Sequence, residues 1–252
     1  DVIKTDCHMP KEDVAKQFSK YDLLDAPVVD ESNQLLGIIT IDDVVDLINK
    51  EATKALYEFG KMEAKGGVEI RYASATVKEL VQRRVGWLIL LLMFDFLTGT
   101  VLKNFEHALA SVVALAFFIP MLLDTGGNAG AQTSITIIRG LATGDVTIKN
   151  VWKIARLEFL TSIFMGGIVG LVAFLRAFML QKDFMLALTV GVTMISITLL
   201  AIVTGIFLPL FSKKVGLDPA VLAGPITTSV VDVVGLLIYF NIAKTFIPAL
   251  GH

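Results

Sequence analysis

An aspartate stands in the middle of a long apolar segment near the C-terminal end of the chain, as Asp232 in AGPITTSVVDVVGLLIYF (223–240). A carboxylate at the centre of a bilayer costs about 2.5–3.5 kcal/mol on insertion-based scales, so it usually faces water, a bound cation or a partner. Thr228 and Pro225 lie four and seven residues earlier, on the same side of a helix. The proline also leaves a backbone carbonyl free, as an oxygen ligand. The pattern favours a cation site over a structural hydrogen bond to a neighbouring hydroxyl.

A second polar stretch, LLDTGGNAGAQTS (122–134), directly follows another apolar run. It holds two sets of residues at a spacing of four, one small (Gly126, Gly130, Ser134) and one polar (Asp124, Asn128, Gln132). Small residues at this spacing are typical of close helix packing, whereas the polar side chains would be costly against lipid. A hydrated passage accounts for both sets, and we expect its lining to include Gly126, Gly127, Gln132 and Pro225.

The side chains of both stretches offer oxygen atoms rather than nitrogen or sulfur. We predict a metal site with ligands drawn from Asp124, Asn128, Thr228 and Asp232. Such a donor set suits hard cations such as Mg²⁺, Ca²⁺ or Mn²⁺, and the spacing alone does not choose among them. A further carboxylate, Asp95 in LLMFDFLTG, lies in another apolar segment. A helix contact or a partner explains Asp95 as well as an ion does.

Five apolar segments are long enough to cross a bilayer, which takes about 20 residues. The chain is 54% hydrophobic, with a mean hydropathy of +0.70. We place the spans at roughly 85–102, 108–141, 157–180, 184–211 and 219–247. With the N-terminus inside, the inner loops hold Arg71, Lys78, Arg83, Arg84, Arg139, Lys149, Lys153, Arg156, Lys213 and Lys214. The outer side holds only Lys103, Arg176, Lys182 and Lys244. The positive-inside rule therefore predicts a cytosolic N-terminal head and an outer C-terminus.

The head differs from the apolar body in both charge and pattern. Residues 1–65 carry 14 acidic and 8 basic side chains, whereas the remainder carries 10 and 14. Apolar spacing and turn residues predict a helix, two strands and a helix, at 11–23, 26–30, 35–40 (a buried strand) and 41–62. This order resembles one CBS domain, and the resemblance is carried by YDLLDAPVVDESNQLLGIITIDDVVDLI. CBS units normally occur in pairs, and this would be the second of a pair.

The pattern as a whole predicts a mainly α protein with a five-helix polytopic transmembrane domain. We expect a partial cytosolic α/β CBS domain at 1–62, a linker and connecting helix at 63–84, and the pore domain at 85–252. Thr76 and Glu79 form a T-x-x-E capping box at the start of the connecting helix. The chain begins abruptly, without a signal-peptide pattern, so we expect it to be a fragment of a longer protein.

Composition and motifs speak against several other classes of protein. The single cysteine, Cys7, excludes a disulfide framework within one chain. His8, His107 and His252 lie far apart, and no HExxH, nucleophile elbow or phosphate loop occurs. A membrane-embedded hydrolase is therefore disfavoured, and we expect no enzymatic activity and no nucleic-acid partner. A nucleotide sensor anchored by its spans would leave the polar stretches in the membrane unexplained.

Three segments in order resemble the MgtE-type magnesium channel family: the CBS half, PMLLDTGGNAGAQT (120–133) and AGPITTSVVDVVGLLIY (223–239). The resemblance covers essentially the whole chain. The family's N-terminal helical domain and first CBS unit have no counterpart in this sequence. It implies a homodimer in the cell (inner) membrane, with an ion path between the subunits lined by the second and fifth spans. It also implies that Asp232 holds the central Mg²⁺ and that Glu106 stands near the outer mouth. Ala131 departs from members that carry a polar side chain there.

The resemblance further implies that cytosolic Mg²⁺ closes the pore by binding acids of the head, and we expect these to be Asp42, Asp43, Asp46 and Glu51. Import would be passive and driven by the membrane potential. Thr40 and Asp43 fit a short T-x-x-D pattern through which many CBS units bind ATP or another adenine nucleotide. The alternatives left open are a carrier that exchanges a divalent cation for Na⁺ or H⁺, and a CBS-regulated membrane protein of another class.

Overall fold

A computed structural model describes residues 2–62, 72–147 and 149–250. The chain divides into two compact units, residues 1–83 and 84–252, and each is described by itself. Residues 2–62 of the first unit form a three-stranded sheet and two helices. In chain order these are β1 (Thr5–Asp6), α1 (Lys11–Tyr21), β2 (Asp25–Val29), β3 (Leu35–Thr40) and α2 (Ile41–Phe59).

The sheet of the first unit has the order β1-β2-β3, with β1 parallel and β3 antiparallel to β2. Its core is formed by Val14 and Phe18 of α1, Ala26 of β2 and Val44 of α2. These residues recur at helical and strand spacings, which is why the predicted helix–strand–strand–helix order is confirmed. The two-residue strand β1 was not predicted, because a segment so short carries no periodic signal.

The prediction that strand 35–40 is buried is wrong. β3 lies at the edge of the sheet, and Leu36 and Ile38 are 60% and 64% exposed. A run of consecutive apolar residues is typical of a strand covered on both faces. Here the run occupies an edge that the described residues leave open.

The connecting helix and the first span form one continuous helix, α3 (Val77–Asn104). Its start confirms the predicted capping box: the backbone N–H of Thr76 donates to the Glu79 carboxylate at 2.9 Å, and the Glu79 N–H donates to the Thr76 hydroxyl at 3.3 Å. These bonds satisfy backbone donors that the first turn of a helix leaves open. Most of the predicted linker, residues 63–71, lies outside the described part of the chain.

Five helices of the described chain are long and apolar enough to cross a membrane. After α3, a short helix α4 (Glu106–Ser111) and a 3₁₀ helix (Val113–Phe118) lead into α5. The remaining spans are α5 (Ile119–Thr143), α6 (Val151–Gln181), α7 (Phe184–Lys214) and α8 (Pro219–Phe246). The number and order of spans agree with the prediction. The second predicted span, 108–141, is divided by the 3₁₀ segment.

Helix α7 occupies the centre of the membrane unit, because 61% of its most apolar 18-residue stretch is buried within the chain. It packs against α5, α6 and α8, and α5 also packs against α8. The core of the unit includes Leu122, Ile137, Met194, Ile197, Leu236, Tyr239 and Phe240. This packing fixes how α5 and α8, the two helices with the polar stretches, lie against each other.

Candidate metal pathway

The small face of α5 packs tightly against the two neighbouring helices of the same chain. A Cβ atom placed on Gly126 would lie 2.3 Å from Cγ2 of Ile197 and 2.8 Å from Cγ1 of Val231. A Cβ atom on Gly130 would lie 2.5 Å from Cγ2 of Thr227. Close helix packing therefore explains these glycines. The bare face of Gly126 is filled by side chains of α7 and α8, and its role in lining a passage stays a prediction.

Helices α5 and α8 meet in an antiparallel register that brings the two polar stretches together. A Cβ atom on Gly127 would lie 3.5 Å from Cγ2 of Thr228, in ordinary contact. The Ser134 and Thr227 hydroxyls are 3.3 Å apart and share a hydrogen bond, in which either oxygen could be the donor. Gly127 is buried, as the close contact requires. Gly127, predicted to line the passage, and Thr228, predicted as a metal ligand, are thus side by side.

Asp232 lies on α8 one turn after Thr228 and is half-buried. Val231, the residue before it, contacts α5 at Gly126. Asp232 therefore lies at the flank of the α5–α8 contact, neither in the middle of the packed core nor on the far side of the helix. Pro225 lies two turns before Asp232, in α8, and its side chain is outside what the structure describes.

The polar face of α5 is exposed in the single chain. Asp124, Asn128 and Gln132 are all exposed, in contrast to the buried glycines beside them. The side-chain amide of Asn128 donates a hydrogen bond to the Asp124 carboxylate at 3.4 Å. Because Asn128 follows Gly127 directly, this pair lies beside the contact with Thr228. An uncovered strip of carboxylate and amide oxygens inside a membrane requires water or a polar partner.

The predicted outer-mouth residue Glu106 begins α4, immediately after the end of α3. Its carboxylate accepts a hydrogen bond from the Lys103 ammonium, and both side chains are exposed. Nearby, the Lys244 ammonium lies 4.8 Å from the centre of the Phe105 ring, which itself stacks on Phe240. The charge of Glu106 is thus offset by a lysine in the single chain, and its role at a mouth stays a prediction.

Two charged side chains within α6 were not singled out from the sequence. Glu158 is half-buried, and its carboxylate accepts a hydrogen bond from the Thr133 hydroxyl at 3.5 Å. Arg176 lies five residues before the end of α6 and is exposed. The available signal was a charge inside an apolar helix, which is uncommon enough to indicate a function or a partner. Arg176 was instead counted among the residues of the outer side.

Three of the four predicted regulatory acids of the head lie in the first turns of α2. Asp42, Asp43 and Asp46 are exposed, and the Thr40 hydroxyl donates to the Asp43 carboxylate at 3.3 Å. The same hydroxyl, and then the Asp42 backbone amide, hold the pKa of Asp42 below its usual value of 3.8. The Glu51 side chain lies outside what the structure describes. The two residues of the T-x-x-D pattern thus hydrogen-bond to each other across the first turn of α2. Nucleotide binding by Thr40 and Asp43 stays a prediction.

The acids in the described part of one chain do not cluster into a metal site by themselves. In the described ranges, no three His, Cys, Asp or Glu side chains lie close enough together to hold a metal ion. The candidate ligands Asp124, Asn128, Thr228 and Asp232 lie along the α5–α8 contact. The arrangement offers a polar, oxygen-rich surface along two packed helices.

Comparisons with known proteins match both units of the chain. A family model described as the divalent cation transporter MgtE matches residues 119–242, and a CBS domain model matches residues 1–50. The chain is 35% identical over 249 residues to the magnesium transporter MgtE of Bacillus subtilis, and 37% identical over 242 residues to that of Thermus thermophilus.

The alignments cover nearly all of this chain and only part of each relative. They include 99% and 95% of the chain, but 54% and 52% of the two relatives. A magnesium transporter MgtE of Enterococcus faecalis is 34% identical over 94% of the chain, which is 51% of that relative. The chain thus spans about half the length of the curated relatives it matches. It carries a membrane domain of the MgtE family, behind a CBS domain.

Proposed function

We propose that this chain forms a homodimeric Mg²⁺ import channel with its ion path between the α5 and α8 helices of two copies. The carrying observation is the Gly127–Thr228 contact, which aligns the exposed Asp124–Asn128 pair with the half-buried Asp232. Its relatives in Bacillus subtilis and Thermus thermophilus are named as magnesium transporters, which supports Mg²⁺ as the cargo. The exposed oxygen strip of one copy then faces the strip of the other, rather than lipid.

Two copies supply what one chain lacks. A two-fold axis beside α8 brings two Asp232 carboxylates and two sets of Thr228 and Asn128 oxygens around one path. Two carboxylates at close range repel each other when no cation lies between them, and a divalent cation removes that repulsion. Mg²⁺ dehydrates reluctantly and keeps several waters in protein sites, so a wide ring of oxygens grips it through water.

The membrane potential drives import without a chemical energy source. Moving one charge across 100 mV is worth about 2.3 kcal/mol, and therefore roughly 4.6 kcal/mol for Mg²⁺. The excess of Lys and Arg on one side supports a cytosolic CBS head and an outer C-terminus. Mg²⁺ then enters toward the head, which is where its accumulation can be sensed.

Cytosolic Mg²⁺ closes the channel by binding the acidic head. Asp42, Asp43 and Asp46 lie in the first turns of α2 and are exposed, and Glu51 lies further along the same helix. A cation that binds the closed state more tightly than the open state shifts the population toward closure. An adenine nucleotide at Thr40 and Asp43 would add a regulatory input and takes no part in transport.

The pore assignment is tested by Mg²⁺ flux into liposomes that contain the purified protein. Asp232→Ala should lower the flux more than about tenfold, since a loss of only 1.4 kcal/mol already corresponds to that factor. The matched control is Asn241→Ala, on the same helix, whose side-chain amide donates to the Leu237 carbonyl of its own helix. Flux retained by Asp232→Ala defeats the assignment, and unitary currents separate a channel from a carrier.

The gating assignment is tested on single-channel currents with Mg²⁺ varied on the side of the head. Replacing Asp42, Asp43 and Asp46 by Asn and Glu51 by Gln should leave the currents insensitive to internal Mg²⁺. The control replaces Asp13, an exposed acid of α1 that pairs with Lys16, and should keep normal inhibition. Unaltered inhibition in the fourfold variant refutes the acidic switch and leaves the pore assignment intact.

A further inference from the structure

The first span is almost uncovered within its own chain. Only 6% of the most apolar 18-residue stretch of α3 is buried, against 22–61% for the other four spans. Its one buried residue is Val101, near the outer end, so the helix joins the core there and diverges from it below. Lipid can cover the apolar part of such a helix, but a charged side chain facing lipid is energetically costly.

The charge on this uncovered helix is Asp95. Its side chain is exposed, and so are Leu92 and Phe96 around it. Within the described residues, Asp95 makes no hydrogen bond and no ion pair. It lies eight residues below Lys103, about 12 Å along the helix, which is close to mid-membrane. A carboxylate at that depth calls for a basic or polar partner.

A basic residue of matching depth is exposed on α6. Arg176 lies six residues before Lys182, which marks the outer end of this helix, or about 9 Å along it. In the described part of the chain Arg176 also has no hydrogen bond and no ion pair. The two depths differ by about 3 Å, which a long arginine side chain spans. Arg176 is the deepest base on the outer half of the described spans.

We propose that Asp95 of one subunit pairs with Arg176 of the partner subunit, so that α3 crosses to cover α6 of the other copy. The inference rests on the proposed homodimer and adds the surface that holds it together. Arginine is suited to the role, because its planar guanidinium binds a carboxylate through two parallel hydrogen bonds. Within the described part of one chain the two side chains form no ion pair, and α3 and α6 do not pack extensively against each other.

Cross-linking between differently tagged chains tests the crossing. Cys7, which is exposed and free, is first replaced by Ser. Chains with Asp95→Cys and one tag are then co-expressed with Arg176→Cys chains carrying another tag, and membranes are treated with a short bifunctional thiol reagent. We expect a product that carries both tags. The control Leu97→Cys, about 200° around the helix from residue 95, should give none.

Three results would overturn the proposal. One is the absence of a two-tag product from chains that remain dimeric by light scattering. The second is an equal product from Leu97→Cys. The third is a bridge formed inside a single chain that carries both cysteines. In each case Mg²⁺ flux by the parent protein and its dimeric mass would still support the pore assignment, so the two failures are distinguishable.

Charge reversal provides a test that does not depend on reagents. Asp95→Asn or Arg176→Gln should weaken dimerisation about 5- to 30-fold, the range for a polar contact between membrane helices. The doubly reversed chain, Asp95→Arg with Arg176→Asp, should recover dimerisation, which a variant that merely misfolds would not. Single variants with unchanged dimerisation, or a double variant no better than the singles, contradict the pair.

Discussion

Replacing Gly205 by alanine should separate α5 from α7 and destabilise the membrane unit. A Cβ atom at this position would lie 2.7 Å from the Gly130 carbonyl oxygen and 3.0 Å from Cβ of Thr133. The first of these neighbours is backbone and cannot rotate away. The extra methyl group therefore has to be accommodated by a movement of whole helices.

The size of the effect follows from the distance. Ordinary contact begins at 3.4 Å, so α5 and α7 must move apart by about 0.7 Å at this level, a strain of the overpacking kind that costs ~1–3 kcal/mol. Alanine is favoured over glycine inside a helix by roughly 1 kcal/mol, which offsets part of the cost. We expect a net loss of up to about 2 kcal/mol in the free energy of unfolding.

The matched control is Gly167→Ala in α6, because a Cβ atom there meets nothing within 4 Å. It should be neutral or slightly stabilising, so the two variants should shift stability in opposite directions. The assay is the thermal midpoint of detergent-solubilised protein followed by size-exclusion chromatography, where each kcal/mol corresponds to roughly 2–4 °C. Equal midpoints for Gly205→Ala and Gly167→Ala would refute the packing of α7 against α5.

Two further outcomes are expected. In a double-mutant cycle, Ser134→Ala and Thr227→Val should couple by about 0.6 kcal/mol, the average for hydrogen bonds between membrane helices; additive unfolding free energies would contradict their hydrogen bond. Thr40→Val should raise the pKa of Asp42 toward 3.8, read from a carboxyl-carbon NMR titration. Because the pKa of Asp42 is lower in the folded head than in the unfolded chain, its ionisation stabilises the fold at pH values above the unfolded pKa. This stabilisation is lost as the pH falls through the folded pKa. Thr40→Val should remove this pH-dependent stabilisation. An unchanged titration of Asp42 would refute the role of the Thr40 hydroxyl in lowering its pKa.

The spans and the helix start at Thr76 could be predicted because local sequence determines them. A run of about 20 apolar residues has to cross the bilayer, and T-x-x-E satisfies its own backbone donors. The glycine spacing also predicted a bare face on α5. It did not reveal that Ile197 and Val231 would fill that face, because the identity of a neighbouring helix is a tertiary property.

Other features depend on tertiary contacts that a local sequence pattern does not reveal. The apolar run of β3 gave no sign that it would stand at the edge of the sheet. Glu158 is a lone acid in α6, and only the fold places it beside the Thr133 hydroxyl. For Asp95 the sequence left an ion, a helix contact and a partner open. The uncovered position of α3 favours a partner.

The central claim is that two Asp232 side chains from two subunits hold one divalent cation, and anomalous diffraction from crystals grown with Mn²⁺ tests it most directly. Mn²⁺ prefers oxygen ligands, as Mg²⁺ does, and scatters anomalously. The account predicts a peak on a two-fold axis beside both Asp232 carboxylates, which disappears in Asp232→Ala crystals. A dimer in which each Asp232 faces lipid or a basic group, with no peak between the two α8 helices, would contradict it.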